Sequence, residues 1–439
     1  MNSRAKTLFG LVVLGLCIFQ FYSPLTQADE LNWQVLKTEK VEVQDYSSGQ
    51  GEVISSYPPF LQGLFRRVIN WDPRKELKKS PTPASAEYKV SLTELFRNLS
   101  VDFDLSDTQH FRKAWFHLTP TLKVRGLFGI HDFQKSRPLV ILRMGIHGNV
   151  DELFAERFIA KAIYEDLDMN FLILENLTSH AFFSENKEIS IGGVEEGLHT
   201  FLIMNYLTDS HSAFNPLINE VYLVGVSLGA QGTFVTALMD SVNRQRIKSV
   251  LDMCPLINLK DTFDFHAQPG FKNAIVDLWN YHRMKILNKR FEKQLADVPL
   301  YKIPFDQKPR FVPRLMQILE SERAKPLLTA AEIQGQVSNL TWPKGFYELL
   351  TNSKSFYELN DFWKFYQGVK IPFLVYTTPT DPLVVNELNG ELIFSGKQSG
   401  DFKSLKFKRL DRGLHCGLAP VFSWDQVVSM IKDGLVRNK

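Results

Sequence analysis

The sequence has only three cysteines in 439 residues and a net charge of only +3 at pH 7. So few cysteines exclude a disulfide framework, and Cys254 and Cys416, which follow non-adjacent predicted strands, are expected to stay unpaired. Lysine and arginine residues are scattered along the chain rather than banded, so no nucleic-acid partner is expected. A Walker loop, a dinucleotide fingerprint and a metal-ligand spacing are all missing from the sequence, so neither a cofactor nor a metal ion is predicted.

Long hydrophobic runs are missing except at the N-terminus. Arg4 and Lys6 precede an apolar stretch from Leu8 to Phe21, and a short polar segment then ends near Ala28. This pattern predicts a secretory signal peptide over residues 1–28. The apolar stretch has 14 residues, which is short for a membrane span of roughly 20. We therefore expect a secreted or periplasmic protein without a stable transmembrane span. An uncleaved segment that anchors the chain to the membrane is the alternative.

The remaining composition is that of an ordinary globular protein, with 44% hydrophobic and 23% charged residues. Residues 29–114 show no clear repeat and are interpreted as an N-terminal extension, with helical patterns over 60–70 and 91–99. From residue 115 to 439, continuously apolar strands alternate with amphipathic helices, which predicts an α/β fold with a mostly parallel sheet and helices on both faces. Strands are predicted at 115–118, 122–130, 138–144, 170–174, 221–226, 249–253, 371–377 and 405–410.

A long segment, about 256–369, interrupts this alternation with helical patterns and no convincing strand. We expect it to form a helical cap above the carboxyl edge of the sheet. It is richer in aromatic residues than the whole chain, of which 12% is aromatic. These side chains are expected to pack the cap itself, and the alternative is that they line an apolar acyl pocket.

The most informative motif is Gly225-Val226-Ser227-Leu228-Gly229, which ends the apolar run Val221–Val224. A buried strand that breaks into G-x-S-x-G and continues into a helical pattern is typical of a nucleophile elbow, a turn that lifts one serine hydroxyl above a sheet. The serine of such a turn has a positive φ, and the two glycines avoid collisions with the neighbouring strand and helix. Ser227 is therefore the predicted nucleophile. An incidental serine in a glycine-rich turn is the alternative.

The third predicted strand ends in a glycine-rich turn, Gly145–Asn149. A turn at this place brings a backbone N–H beside the nucleophile and forms half of an oxyanion hole. We expect Asn149 or its neighbour Gly148 to supply that donor, and the N–H of Leu228 to supply the other. His147 is expected to brace the turn rather than to transfer a proton.

Two further residues complete the chemistry of acyl transfer. Asp381 lies just beyond a predicted buried strand, and prolines two positions before and one after it hold it in a rigid turn. It could instead only cap the next helix, and Asp252, at the end of an earlier strand, is the main rival acid. His415 lies between glycines in the loop that joins the last strand to the last helix, although it could be an ordinary surface histidine. The chain order Ser227, Asp381, His415 is the order of the elbow fold.

From about residue 115 to its end, the chain resembles the α/β-hydrolases, because the His-Gly turn, the elbow, the Asp-Pro-Leu-Val turn and the Gly-x-His-x-Gly loop stand in family order. Within that superfamily it is similar to the YheT-like esterases, whose final histidine loop is also flanked by glycines. The resemblance implies a serine hydrolase that cleaves carboxylic esters. The aromatic residues of the insertion favour a small-molecule or lipid-like ester with an apolar acyl part as substrate. The alternatives are an acyltransferase with the same triad, and a non-catalytic binding protein on a hydrolase scaffold.

Overall fold

A computed structural model describes most of the chain from residue 109 onward and a few residues before it. The described residues are 33, 36–45, 103, 105, 109–153, 155–188, 190–270, 273, 326–379, 381–400, 402, 404–410, 415–417 and 424–436. Within these ranges, no helix combines the length and apolar character that a membrane crossing requires. The predicted signal peptide lies outside the described residues.

Nine strands of the described residues form one twisted sheet. Their order across the sheet is β1-β2-β3-β5-β4-β6-β7-β8-β9. The strands are β1 (Val41–Asp45), β2 (Phe111–His117), β3 (Lys123–Gly129), β4 (Arg137–Arg143), β5 (Asn170–Leu174), β6 (Ile218–Val226), β7 (Ile247–Met253), β8 (Phe373–Thr377) and β9 (Leu405–Arg409).

Six neighbouring strands run parallel to one another, in the order β5, β4, β6, β7, β8 and β9. By contrast, the pairs β1–β2, β2–β3 and β3–β5 are antiparallel. The central strands are apolar on both sides because each face is covered. Leu139 and Ile141 of β4 belong to one hydrophobic core, and Val140 and Leu142 belong to the other. The predicted mostly parallel sheet is confirmed.

Helices cover both faces of this sheet. They are α1 (Ala155–Lys161), α2 (His180–Asn186), α3 (Gly193–Leu207), α4 (Gly229–Ser241), α5 (Leu259–Ala267), α6 (Ala330–Gln336), α7 (Phe346–Asn352), α8 (Phe356–Leu359), α9 (Gly390–Gln398) and α10 (Trp424–Leu435). Short 3-10 segments occupy Val150–Glu152, Asn215–Leu217, Trp363–Gly368, Asn386–Leu388 and His415–Gly417, and a π-helical turn occupies Ala162–Asp166. On one face, α3 and α4 bury Leu198 and Phe234, and on the other, α1 and α10 bury Ile159 and Ile431.

The predicted N-terminal extension supplies an edge strand to the same sheet. Strand β1 pairs antiparallel with β2, and the ring of Trp33 packs edge-on against Phe133 at 5.0 Å between centroids. The sequence analysis did not predict this strand, because its alternating burial gives only a weak pattern over five residues. The helical patterns over 60–70 and 91–99 lie outside the described residues.

The insertion falls between β7 and β8, as predicted, and its described residues contain no strand. Helix α5 lies at the carboxyl edge of the sheet, where His266 Nε2 is 2.8 Å from the carbonyl oxygen of Leu383. The later part, 326–369, instead packs beside α3 and α4, with the Tyr366 ring stacked on Phe234 at 4.9 Å. Tyr366 therefore packs as core, while Asn360 reaches the start of α3, where its Oδ1 accepts a hydrogen bond from the Val194 N–H.

Candidate active site

Ser227 occupies the sharp turn between β6 and α4. Its φ is 56°, in the left-handed region that L-residues rarely adopt. Its N–H donates to the Met253 carbonyl at 2.9 Å, which ties the turn to β7. A Cβ on Gly225 would lie 2.5 Å from a Cα atom at the start of α4, and one on Gly229 would lie 2.4 Å from the Arg143 carbonyl oxygen. Only glycine fits on either side, as the sequence analysis predicted.

Asp381 and His415 are in direct contact. The His415 Nδ1 atom lies 2.9 Å from Oδ1 and 3.0 Å from Oδ2 of Asp381. The N–H groups of Leu383 and Val384 each donate to Oδ1 at 2.9 Å, and the Cys416 N–H donates to Oδ2 at 3.0 Å. Burial disfavours the charged form of Asp381, but the His415 ring and the N–H donors outweigh it and hold the pKa of Asp381 below its usual value. An ionised carboxylate is an acceptor only, so it places the ring proton on Nδ1.

Ser227 lies at the same carboxyl edge of the sheet as this pair, because β6, β8 and β9 all end there. Among the residues that the structure describes, no hydrogen bond joins the Ser227 hydroxyl to the His415 ring. The His415 Nε2 atom lies 3.5 Å from Cys416 Sγ instead. The His415 side chain is 27% exposed, whereas that of Asp381 is 2% exposed. The histidine is thus the less enclosed partner of the pair.

The turn after β4 begins at Gly145, which lies against the predicted nucleophile: a Cβ added to Gly145 would be 3.3 Å from the Cβ of Ser227. The predicted donor Gly148 already uses its N–H inside the turn, donating to the Gly145 carbonyl at 2.9 Å. The N–H groups of Ile146 and Leu228 have no acceptor among the described residues. Ile146 is therefore a candidate oxyanion donor in addition to those predicted from the sequence.

The far end of this turn is fixed by a polar network. The Oδ1 atom of Asn149 accepts a hydrogen bond from Arg125 Nη2 at 3.0 Å, and the same guanidinium pairs with Glu175 at 2.6 Å. The N–H of His147 donates to Thr178 Oγ1, and its ring lies 3.3 Å from the Thr178 carbonyl oxygen. These contacts confirm that His147 braces the turn. They also direct the Asn149 side chain toward Arg125.

Asp252, the rival acid, is not part of the histidine contact. It is buried in β7 and accepts a hydrogen bond from Thr233 Oγ1 of α4 at 2.6 Å. Burial raises the pKa of Asp252 well above its usual value, and the Thr233 hydrogen bond opposes that rise only in part. Of the two acids, the structure brings Asp381 to His415 and directs Asp252 toward the elbow helix.

Cys254 and Cys416 form a disulfide, so the expectation that they stay unpaired is wrong. That expectation assumed that cysteines after β7 and β9 are separated by the end of β8. Cys416, which follows β9, instead lies beside the end of β7, where its Sγ is 3.4 Å from the Met253 carbonyl oxygen, and the two cysteine Cα atoms are 4.5 Å apart. The Cys254 Sγ atom lies 3.8 Å from Nδ1 of His415, so the disulfide adjoins the Asp381–His415 pair.

A buried ion pair, Arg143 with Glu196, packs against the glycines at the start of α4. Arg143, the last residue of β4, and Glu196 of α3 are both inaccessible to solvent, and their Nη2 and Oε2 atoms are 3.4 Å apart. Glu196 also accepts a hydrogen bond from Asn176 Nδ2 at 2.6 Å. Burial raises the pKa of Glu196, which the Arg143 charge opposes. This ion pair was not predicted, although an arginine at the end of an apolar strand indicates that a buried acidic partner is needed.

The strand order, the serine elbow after β6 and the acid and histidine loops after β8 and β9 define the α/β-hydrolase fold. The chain has this fold. Among solved structures, it is similar to a putative hydrolase from Legionella pneumophila, with 15% identity, a TM-score of 0.45, and coverage of 84% of this chain and 95% of that one.

Two other solved structures show a similar degree of likeness. An esterase from Pyrococcus furiosus has 14% identity, a TM-score of 0.43, and coverage of 76% of this chain and 95% of that one. An alpha/beta fold family hydrolase from Bacillus anthracis has 13% identity, a TM-score of 0.37, and coverage of 72% of this chain and 97% of that one. No family model and no curated protein matches the sequence.

Proposed function

We propose that the protein is a serine hydrolase that cleaves carboxylic esters through an acyl-enzyme on Ser227. One observation carries this proposal: an Asp381–His415 pair lies at the same sheet edge as a positive-φ serine in a glycine-flanked turn. A strained serine conformation persists only where the surrounding structure enforces it, and such strain clusters at functional sites.

In the proposed mechanism, the Ser227 hydroxyl attacks the ester carbonyl carbon while Nε2 of His415 accepts its proton. Asp381 holds the ring with the proton on Nδ1 and stabilises the imidazolium that forms. The imidazolium then protonates the leaving alcohol, and water, with His415 again as base, releases the acid. The first step requires Nε2 to come within about 3 Å of the serine oxygen, so His415 must turn from Cys416 toward Ser227 when substrate binds.

The oxyanion of the tetrahedral intermediate would be held by the N–H groups of Leu228 and Ile146. Leu228 follows Ser227 in the chain, and Ile146 follows Gly145, which lies against Ser227. Neither N–H group donates to another described residue. Asn149 remains the alternative second donor, whereas Gly148 would first have to break its hydrogen bond to Gly145. Loss of one such donor costs about 10² to 10³ in turnover.

An ester with an apolar acyl part is the proposed substrate class. Phe265 of α5 is 45% exposed and neighbours His266, which contacts the Asp381 turn. An exposed aromatic ring beside the carboxyl edge supports binding of an apolar group there, because ligand sites combine apolar surface with a few polar groups.

Hydrolysis of p-nitrophenyl esters over a series of acyl chain lengths tests this function. We expect turnover that rises with chain length beyond acetate and disappears in Ser227→Ala, whose fold is checked by circular dichroism. Product analysis with an added alcohol separates hydrolysis from acyl transfer, because a transferase would form the new ester. A folded protein without turnover on any ester would contradict the proposal and favour a binding protein.

We also propose that the protein is exported. The N-terminal pattern supports this, and so does the Cys254–Cys416 disulfide, because disulfides persist in oxidising compartments. N-terminal sequencing of the exported protein should find a chain that begins near residue 29. A chain that retains its first residues in the membrane fraction would instead indicate an anchor.

A further inference from the structure

Four residues with metal-binding side chains meet beside the proposed catalytic pair. Cys254 follows β7, Asp381 follows β8, and His415 and Cys416 follow β9. One ligand atom from each lies within 4.8 Å of the others. Cys254 and Cys416 are 2% and 1% exposed, so the sulfurs are shielded from bulk water. The four residues are called here the Cys-His-Asp cluster.

The spacing of the Cys-His-Asp cluster suits a small tetrahedral ion. Zinc binds sulfur at about 2.3 Å and nitrogen or oxygen at about 2.0–2.2 Å, which places the ligand atoms of a tetrahedron about 3.3–3.8 Å apart. The His415 Nδ1 atom lies 3.8 Å from Cys254 Sγ, within that range, and 2.9 Å from Asp381 Oδ1, so the latter two atoms would separate by about half an ångström on zinc binding. Two sulfurs, one imidazole and one carboxylate form a donor set that favours zinc over magnesium or calcium.

We propose that reduction of the Cys254–Cys416 disulfide turns this cluster into an inhibitory zinc site. A dithiol reductant gives two electrons and two protons: the sulfur–sulfur bond breaks, each cysteine sulfur gains a proton, and the reductant becomes a cyclic disulfide. Zinc then binds both sulfurs as thiolates, and the two thiol protons pass to solvent. The oxidised protein cannot form the site, because its sulfurs are bonded to each other.

Zinc in the cluster would remove the base that the proposed function requires, and this part of the inference rests on that function. A neutral imidazole that binds a metal through Nδ1 must carry its proton on Nε2. Nε2 then cannot accept the proton of Ser227. Zinc would also take Asp381 as a ligand and so withdraw the carboxylate that orients the ring. Asp381 and His415 thus serve either catalysis or, together with the two cysteines, metal binding.

Cobalt(II), which absorbs light where zinc does not, tests the site without any substrate. The reduced full chain should bind one cobalt ion per chain with a thiolate-to-cobalt charge-transfer band, and the oxidised chain should show no band. Cys254→Ser and Cys416→Ser should each reduce the band by at least half, and the double variant should abolish it. Asp252→Asn, which changes a buried carboxyl outside the cluster, is the control and should keep it. A reduced wild type without the band, or a double variant that retains it, would overturn the site.

Labelling of Ser227 by a fluorophosphonate tests the inhibition. One equivalent of zinc should slow labelling of the reduced protein at least tenfold, a chelator should restore it, and the oxidised protein should be unaffected. If the cobalt band forms but zinc leaves labelling unchanged, inhibition is contradicted. If Ser227 is not labelled in any state, the proposed function fails and inhibition with it, while the cobalt band still decides whether the metal site exists.

Discussion

Asp381 contacts Nδ1 of His415 with both of its carboxylate oxygens, at 2.9 and 3.0 Å. Asp381→Asn should therefore lower ester turnover by roughly 10⁴-fold, because an amide cannot hold the required tautomer or stabilise the imidazolium. Asp252→Asn is the matched control, with an equally conservative change in a neighbouring strand, and should retain turnover within a few-fold. The turnover numbers of the two variants, measured by steady-state kinetics on one ester, show which aspartate is the catalytic acid. A larger loss in Asp252→Asn would assign the acid to β7.

The buried carboxyl of Asp252 should make stability depend on pH. Burial raises its folded pKa well above the unfolded value of about 3.9. The folded protein then keeps a proton that the unfolded chain releases, so this group lowers the free energy of unfolding as pH rises above about 4. Asp252→Asn keeps the acceptor for Thr233 without that proton. Urea unfolding should show that the free energy of unfolding of the variant rises relative to that of wild type as pH increases from about 4 toward the folded pKa of Asp252, by at most about 1.4 kcal/mol per pH unit. A difference that is constant with pH would contradict this.

The backbone strain at Ser227 should be measurable. At φ 56°, a side chain costs about 1–2 kcal/mol relative to glycine, and the greater freedom of glycine in the unfolded chain offsets about half of this. Ser227→Gly should therefore be more stable than Ser227→Ala by about 0.5–1 kcal/mol, with both inactive. Denaturant unfolding of the two variants makes the comparison. An alanine variant as stable as the glycine variant would show that the turn is unstrained.

Gly229 should tolerate no side chain. A Cβ there would lie 2.4 Å from the Arg143 carbonyl oxygen and 2.5 Å from that of Met144, so the turn after β4 would have to move. Gly229→Ala should lose about 1–3 kcal/mol of unfolding free energy and much of the activity. Gly335→Ala in α6 is the control, since its Cβ would meet no atom within 4 Å, and it should be neutral or slightly stabilising. Equal stability of the two variants would contradict the close packing.

The parts of the fold that depend on local pattern were predictable from the sequence. The apolar runs gave β4, β6, β7 and β8 because strands covered on both faces cannot be polar. The glycines around Ser227 predicted the elbow because the need for glycine there is steric and arises within the turn itself. The turn positions of Asp381 and His415 followed from the order of the elbow fold.

What the sequence could not supply depends on contacts between distant segments. The pairing of Cys254 with Cys416 requires Cys416, which follows β9, to lie beside the end of β7, which no local pattern encodes. The use of the Gly148 N–H by Gly145 depends on how the turn closes. Strand β1 is held by pairing with β2, whose residues lie 67 to 75 positions further along the chain, rather than by a strong pattern of its own.

Mapping the serine that reacts with a fluorophosphonate tests the central claim most directly. The oxidised full chain is labelled, digested and sequenced by mass spectrometry, alongside Ser227→Ala and Asp381→Asn. We expect one modified residue, Ser227, no label in Ser227→Ala, and much slower labelling in Asp381→Asn. Modification of a different serine, or labelling of Ser227 at an equal rate without the Asp381 carboxylate, would contradict the proposed triad.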